Sequence, residues 1–360
     1  MGRAYIQNII AFVLTVSLLP ACVKDKPTVP DTPVQLVAGS TKLYIACEGS
    51  LSNGNSSLYL YNYIHNTEHG NIYEAANAGA KLGDVLQSVT RIGNRLFLCV
   101  NNSDKIIVLD TANHKQVGTI SIPKPRYILL VNNTKAYVST LFSNKVYIIN
   151  PQAMQVTGSI EMPYQNPEAM LLRNGKAYIC TWDTACGNIY TVDVNTDKLE
   201  KTIPINNRAP HGMVVDKNNN LWVLSGNVNK GKRSAFTVIQ PNDDVLKTLY
   251  FSEKVDAIKP VCNNVADMVY FIEVDYSGGT INNGIYKLSI TDNALPSAAF
   301  IPAKQYQYFW ALAIEPKTDK IYVGDPKGFI QKGNVSVYGT DGKQQHSFSV
   351  GVGPGNFYFD

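Results

Sequence analysis

Seven side chains of unlike chemistry hold equivalent places along this chain: Gln87, Arg126, Glu168, His211, Asp256, Trp310 and Gly355. Each is the second residue of a recurring four-residue start: LQSV at 86, PRYI at 125, PEAM at 167, PHGM at 210, VDAI at 255, FWAL at 309 and PGNF at 354. Brought to one place, they would supply amide donors and acceptors, a guanidinium, two carboxylates, an imidazole and an indole. That mixture suits polar recognition of a ligand better than any single reaction. A metal-assisted hydrolase would need three or four oxygen or nitrogen ligands converging on one point, whereas here two carboxylates and one imidazole are interrupted by Arg126 and Trp310. No GxSxG, HExxH or phosphate-cradling glycine loop occurs in a matching context, and no Cys/His spacing suggests zinc. The sequence thus predicts a binding protein, not an enzyme, with no resident cofactor or metal; ligand capture is the first reading, a protein-interaction or adhesion surface the alternative, and a metal-assisted hydrolase a distant third.

The elements that position these residues follow from the repeat. The starts lie between 39 and 54 residues apart, a spacing that signals repeated supersecondary units. After each start come three further strand-like runs separated by polar turns such as RIGNR, VNNTK and RNGK, which read as hairpin turns needing Asn, Gly or Asp at positive φ. Second runs such as KAYIC and NLWVL are apolar, and fourth runs are more polar. Four antiparallel strands per unit, seven times, predict an all-β, seven-bladed β-propeller. The last unit supplies only GPGNFYFD, while the chain's first runs, KLYIACE, SSLYLYNY and GNIYEA, lack a first strand. Residues 353–360 are therefore expected to complete the blade begun at 42–74, leaving no unpaired seam.

In this architecture the first strand lines the central channel, and the loop leading into it shares a face with the loop joining strands two and three. The seven second residues are then a ring at the channel mouth. The loops around it include VNNSD, STLFSN, TWDTACG, SGNVNKGKRS and GDPKGFIQKG. They carry Asn101, Asn102, Phe142, Trp182, Asn227, Tyr276 and Phe329, while Tyr308 precedes one of the starts and Asn356 lies within another. An aromatic and amide-rich face on a rigid scaffold recognises ligands at low entropic cost.

Composition sets the frame. The 360 residues are 45% hydrophobic and 17% charged, enough to bury a core and too apolar for disorder. A net charge of +4 is too mild to argue for nucleic acid, and the basic NKGKRS at 229–234 is one loop's solvated charge. Residues 1–21 have one basic residue, Arg3, and then an apolar run of signal-peptide length, Ile9 to Leu19. The sequence Leu19-Pro20-Ala21-Cys22 resembles a bacterial lipobox, which would place a lipid on Cys22. Residues 22–39 then form a lipidated N-terminus with a stiff proline-rich spacer, and residues 40–360 the propeller. Cys47, Cys99 and Cys180 end apolar runs, as small buried hydrophobes would; Cys180 and Cys186 bracket TWDTA and could instead close a loop. His65, His69, His114 and His346 fall on predicted edges and turns, where solvated histidines are common.

GDVLQSVTRIGNRLFLCVNNSDKIIVLD, PRYILLVNNTKAYVSTLFSNKVYIIN, FWALAIEPKTDKIYVGDPKGFIQKGNVSVYG and GVGPGNFYFD, together with the lipobox, resemble the YncE-like, surface-layer-type propeller lipoproteins of Bacteroidetes, and within these the BtuG type. The resemblance implies a lipid-anchored protein of the outer membrane, facing outward, that captures cobalamin and hands it to a TonB-dependent transporter. Membrane contact would be through the anchor alone. Capture of another transporter substrate is the alternative within this reading. By their places on the loop-rich face, and not by any family motif, Gln87, Asn101, Asn102, Asn227 and Asn356 are then expected to pair with corrin amides. Trp182, Tyr276, Tyr308 and Trp310 would cover apolar edges, and Arg126 would meet the phosphate of the nucleotide tail.

Overall fold

The computed structural model describes residues 42–275 and 283–360; Cys22, Tyr276 and the segments around them lie outside the described residues. Seven four-stranded antiparallel sheets are present among them. The first strand of each blade touches the first strand of the next, all the way round, so these strands form the wall of an axial channel.

Both faces of each blade are buried between neighbours, which explains the unbroken apolar runs. In the strand Lys176–Thr181, Ala177 and Ile179 pack toward the third blade while Tyr178 and Cys180 pack toward the fifth, as period-two alternation requires. The same division recurs until there is one apolar cluster at each blade interface. The outermost strands meet neighbours on little of their surface, and Lys198–Pro204 is exposed at all but one of its seven positions, the buried one being Ile203.

The second or third residue of every second strand is aromatic: Tyr44, Phe97, Tyr137, Tyr178, Trp222, Tyr270 and Tyr322, all buried. Several use a polar tip to tie blades together. The Tyr178 hydroxyl donates to Asp243 in the next blade's outer turn at 2.8 Å, Tyr137 donates likewise to Asp197, and Tyr44 meets His114 at 3.3 Å. Buried hydroxyls need such partners, so many of the tyrosines are blade fasteners. The turns follow local chemistry as well. Asn174 and Gly175 have φ of 53° and 75° between the paired Arg173 and Lys176, the geometry of a type I′ hairpin.

Ring closure follows the predicted pairing. The strand Pro354–Phe359 joins Lys42–Cys47, with Leu43 opposite Phe359 and Ala46 opposite Asn356.

Three expectations need correction, and one blade has a short outer strand. GNIYEA is only partly strand: pairing ends at Asn71, whose side chain caps a one-turn helix at Ile72–Ala76. In the seventh blade, pairing starts at Ala311 instead of Phe309. The outer strand of the sixth blade is just Ile301–Pro302. His114 is not solvated but buried beneath Tyr44. The thiols of Cys47, Cys99, Cys180 and Cys186 are free and buried, and Cys186 Sγ accepts from Thr181 Oγ1 at 2.9 Å.

Candidate functional site

The channel opens at one end into a cavity of about 940 Å3. Local backbone irregularity aims the ring residues into it. In the second to fifth blades the pairing of first and second strands slips at the start motif, so that Gln87, Arg126, Glu168 and His211 each lie in a β-bulge. Gly355 occupies the same place in the first blade. A bulge re-aims a side chain at the rim of a sheet; here four of them turn a strand residue toward the axis. Asp256 reaches the cavity from a regularly paired strand, and Trp310 from just before one.

The ring is linked by hydrogen bonds. Arg126 Nε donates to Glu168 Oε2 at 2.9 Å, a second guanidinium nitrogen donates to Oε1, and the third donates to Gln87. Gln87 Nε2 in turn donates to the Tyr127 hydroxyl at 3.1 Å. Burial disfavours the charged guanidinium, but the Glu168 carboxylate outweighs it and holds the Arg126 pKa above its ordinary value. This bidentate fork is a strong form of ion pair. Burial, helped by the charge of Lys259, pushes the His211 imidazole down to about 4, so it is neutral at physiological pH. Burial likewise raises the Asp256 carboxyl, against the donors Ser234 Oγ at 2.7 Å and the Val228 amide at 3.1 Å.

Gly355 leaves no gap in the ring. A Cβ there would stand 2.0 Å from Glu48 Oε1, so the glycine makes room for the Glu48 carboxylate, which accepts from Trp310 Nε1 at 2.8 Å. Trp310 is itself packed between Tyr308, stacked at 6.1 Å, and Phe329, edge-on at 5.7 Å. Beneath the polar ring lies an apolar one from the fourth residues of the starts, including Ile128, Met170, Met213, Ile258, Leu312 and Phe357. The cavity is therefore polar at its lip and greasy in its throat.

The predicted site residues divide accordingly. Gln87, Arg126, Glu168, His211, Asp256 and Trp310 line the cavity together with Asn101, Trp182 and Asn356. Asn101 Nδ2 is engaged by the Pro125 carbonyl at 3.1 Å. Trp182 Nε1 donates to the Gly226 carbonyl at 3.3 Å, and its ring stands 6.0 Å from that of His211. Four predicted residues do not line the cavity. Asn102 is tied to Asp84 and to Lys124, Phe142 is 75% exposed on its loop, Asn227 follows the lining Gly226, and Tyr308 backs Trp310. Sequence reasoning missed Glu48 and Lys259 as lining residues. Glu48 was legible only as the residue closing the first blade's second strand, and Lys259 only by counting four places beyond a start. Among the described residues no cluster of three or more His, Cys, Asp or Glu side chains is arranged to hold a metal ion.

Comparison with solved structures reveals the fold alone. A quinonprotein alcohol dehydrogenase-like protein from Bacteroides thetaiotaomicron superposes with a TM-score of 0.65 at 16% identity, over 89% of this chain and 78% of that one. The dihydro-heme d1 dehydrogenase NirN gives 0.60 at 7% identity, over 92% and 77%. Apo AztD from Citrobacter koseri gives 0.54 at 12%, over 89% and 98%. No curated protein matches the sequence. The sequence profile described as "Domain of unknown function (DUF5074)" matches residues 42–359, the whole of the propeller, and the chain belongs to that family.

Proposed function

We propose that this chain is a non-catalytic capture lipoprotein that holds a corrinoid of the cobalamin class at the mouth of its axial cavity. From there it would pass the ligand to a TonB-dependent transporter of the outer membrane, to which Cys22 would anchor it. The observation that carries this reading is the two-tier cavity, with a lip of unlike polar side chains over an apolar throat. A corrinoid matches both tiers, because its rim of amides needs donors and acceptors while its ring faces and methyl groups need apolar contact. Three of the ring's polar groups, Gln87, Arg126 and Glu168, are also held by one another, as in a preorganised site, which lowers the entropy lost on binding. Arg126 is not free to read a phosphate, since Glu168 and Gln87 occupy its fork, so its part is to hold the lip in shape.

Isothermal titration and thermal unfolding with cyanocobalamin test the reading. Saturable one-to-one binding at micromolar or lower ligand, weakened by Trp310→Ala, is the expected result. No heat and no thermal shift at micromolar ligand removes the corrinoid. Protease accessibility on intact cells tests outward display.

A further inference from the structure

Lys259 stands apart from every other charged group of the cavity. It belongs to the first strand of the sixth blade, Val255–Cys262, one place beyond the apolar Ile258. The corresponding places in the other blades are Thr90, Leu129, Leu171, Val214, Ala313 and Tyr358, none of them charged at physiological pH. Pairing jumps from Ile258 opposite Ile272 to Val261 opposite Tyr270, so Lys259 and Pro260 together oppose Phe271. Lys259 also has a φ of +55°, a left-handed conformation that is uncommon for a residue with a long side chain. Such local strain clusters where a side chain must be held in a particular place.

The partners are as telling as the place. Each carboxylate lining the cavity already has donors: Glu168 from Arg126, Glu48 from Trp310, and Asp256 from Ser234 and the Val228 amide. Arg126 is taken up by Glu168 and Gln87. Lys259 is the one charged side chain of the lining with no hydrogen bond or ion pair among the described residues. Its charge is felt by the neighbouring His211 imidazole, which burial and Lys259 together keep unprotonated and therefore able to donate or accept without adding charge. An ammonium that is half-buried has given up hydration without gaining an anion in return.

We propose that Lys259 is the anion-reading residue of the cavity, receiving a phosphate, phosphodiester or carboxylate of the ligand, with the His211 imidazole beside it. This rests on the reading of the cavity as a ligand site and specifies the ligand class: a molecule with an apolar body and one anionic group that enters the throat. For a corrinoid that group is the phosphodiester of the nucleotide arm.

The test compares the full chain with Lys259→Gln and Lys259→Arg, using two sets of probes. Inorganic phosphate is added against chloride at equal ionic strength, and thermal unfolding is followed. The native chain is expected to be stabilised by phosphate, Lys259→Gln to need at least tenfold more phosphate for the same shift, as loss of a charge-assisted hydrogen bond implies, and Lys259→Arg to retain the response. An equal response in the native chain and Lys259→Gln, or none in either, overturns the proposal. Cyanocobalamin and cobinamide, which lacks the phosphate-bearing arm, are then titrated. Lys259→Gln should weaken cyanocobalamin about tenfold or more and leave cobinamide unchanged. If neither corrinoid binds while the phosphate response depends on Lys259, the corrinoid reading fails and the anion site stands. If cyanocobalamin binds the native chain and Lys259→Gln equally, the anion site fails and the corrinoid reading stands.

Discussion

Replacing Glu168 by Ala would strand the Arg126 guanidinium, and the size of the effect follows from the geometry. The two side chains are 14% and 7% exposed and share a bidentate fork with Nε to Oε2 at 2.9 Å. Removing one partner of a buried pair costs about 3–5 kcal/mol, chiefly because the other charge is left uncompensated. The pair stands at a cavity lip, where water reaches a stranded guanidinium, so the cost drops to the bottom of that range or just below it, about 2–3 kcal/mol. With roughly 2 °C per kcal/mol for a domain of this size, the midpoint should fall by about 4–6 °C. The double variant Arg126→Leu/Glu168→Leu should lie closer to the native chain than either single leucine variant, since an apolar pair of similar volume avoids both desolvation terms. Thermal and urea unfolding of all four proteins gives the coupling energy by a double-mutant cycle. Single variants that each shift the midpoint by under about 1 °C, with a double variant equal to their sum, would refute the clamp.

Acid and base should act through two buried groups with opposite signs. Burial pushes the Glu273 carboxyl up to about 7, against the Tyr286 hydrogen bond. The folded state therefore holds a proton that the unfolded chain releases near 4.5, and stability from this group falls as pH rises between those values. Glu273→Gln should raise the midpoint at pH 8 and leave it unchanged at pH 4, as thermal unfolding across pH will report. Burial, with Lys42 adding, pushes His114 down to about 4, so stability is lost as pH falls from about 6.5 toward 4; His114→Gln should flatten that acid limb. Deleting residues 353–360 should expose the edge of Lys42–Cys47, giving self-association by size exclusion and a lower, broader thermal transition. A compact monomer with an unchanged midpoint counts against the closure.

The architecture was readable because the repeat is written in apolar residues that must satisfy the same interface seven times. KAYIC and NLWVL report both buried faces of a blade, and the missing first strand before KLYIAC pointed to its counterpart at PGNF. What could not be read was local: Asn71 leaves the sheet because its side chain caps a helical turn, and a cap and a strand end look alike in GNIYEA. Within the cavity, the ring residues were countable, but the bulges that aim Gln87 and His211 inward depend on strand register, which no single motif encodes. Gly355 was countable as an empty place; only its distance to Glu48 shows that a carboxylate from another loop fills it. Arg126 seemed available for a phosphate because the sequence says nothing of how near Glu168 comes. Lys259 escaped notice because an isolated lysine among apolar residues has no signature until its lack of a counter-charge is visible.

The pairing of Leu43 with Phe359 also sets an order of events for folding. Six blades are built from neighbours in sequence and can form early, yet the first must wait for a strand roughly 300 residues away, an encounter whose entropy alone costs about 5 kcal/mol by the logarithmic rule for loop ends. Until then the nascent sheet shows its bare inner edge. Assembly thus ends with a latch, and the chain stays vulnerable to misassociation until that last strand has paired.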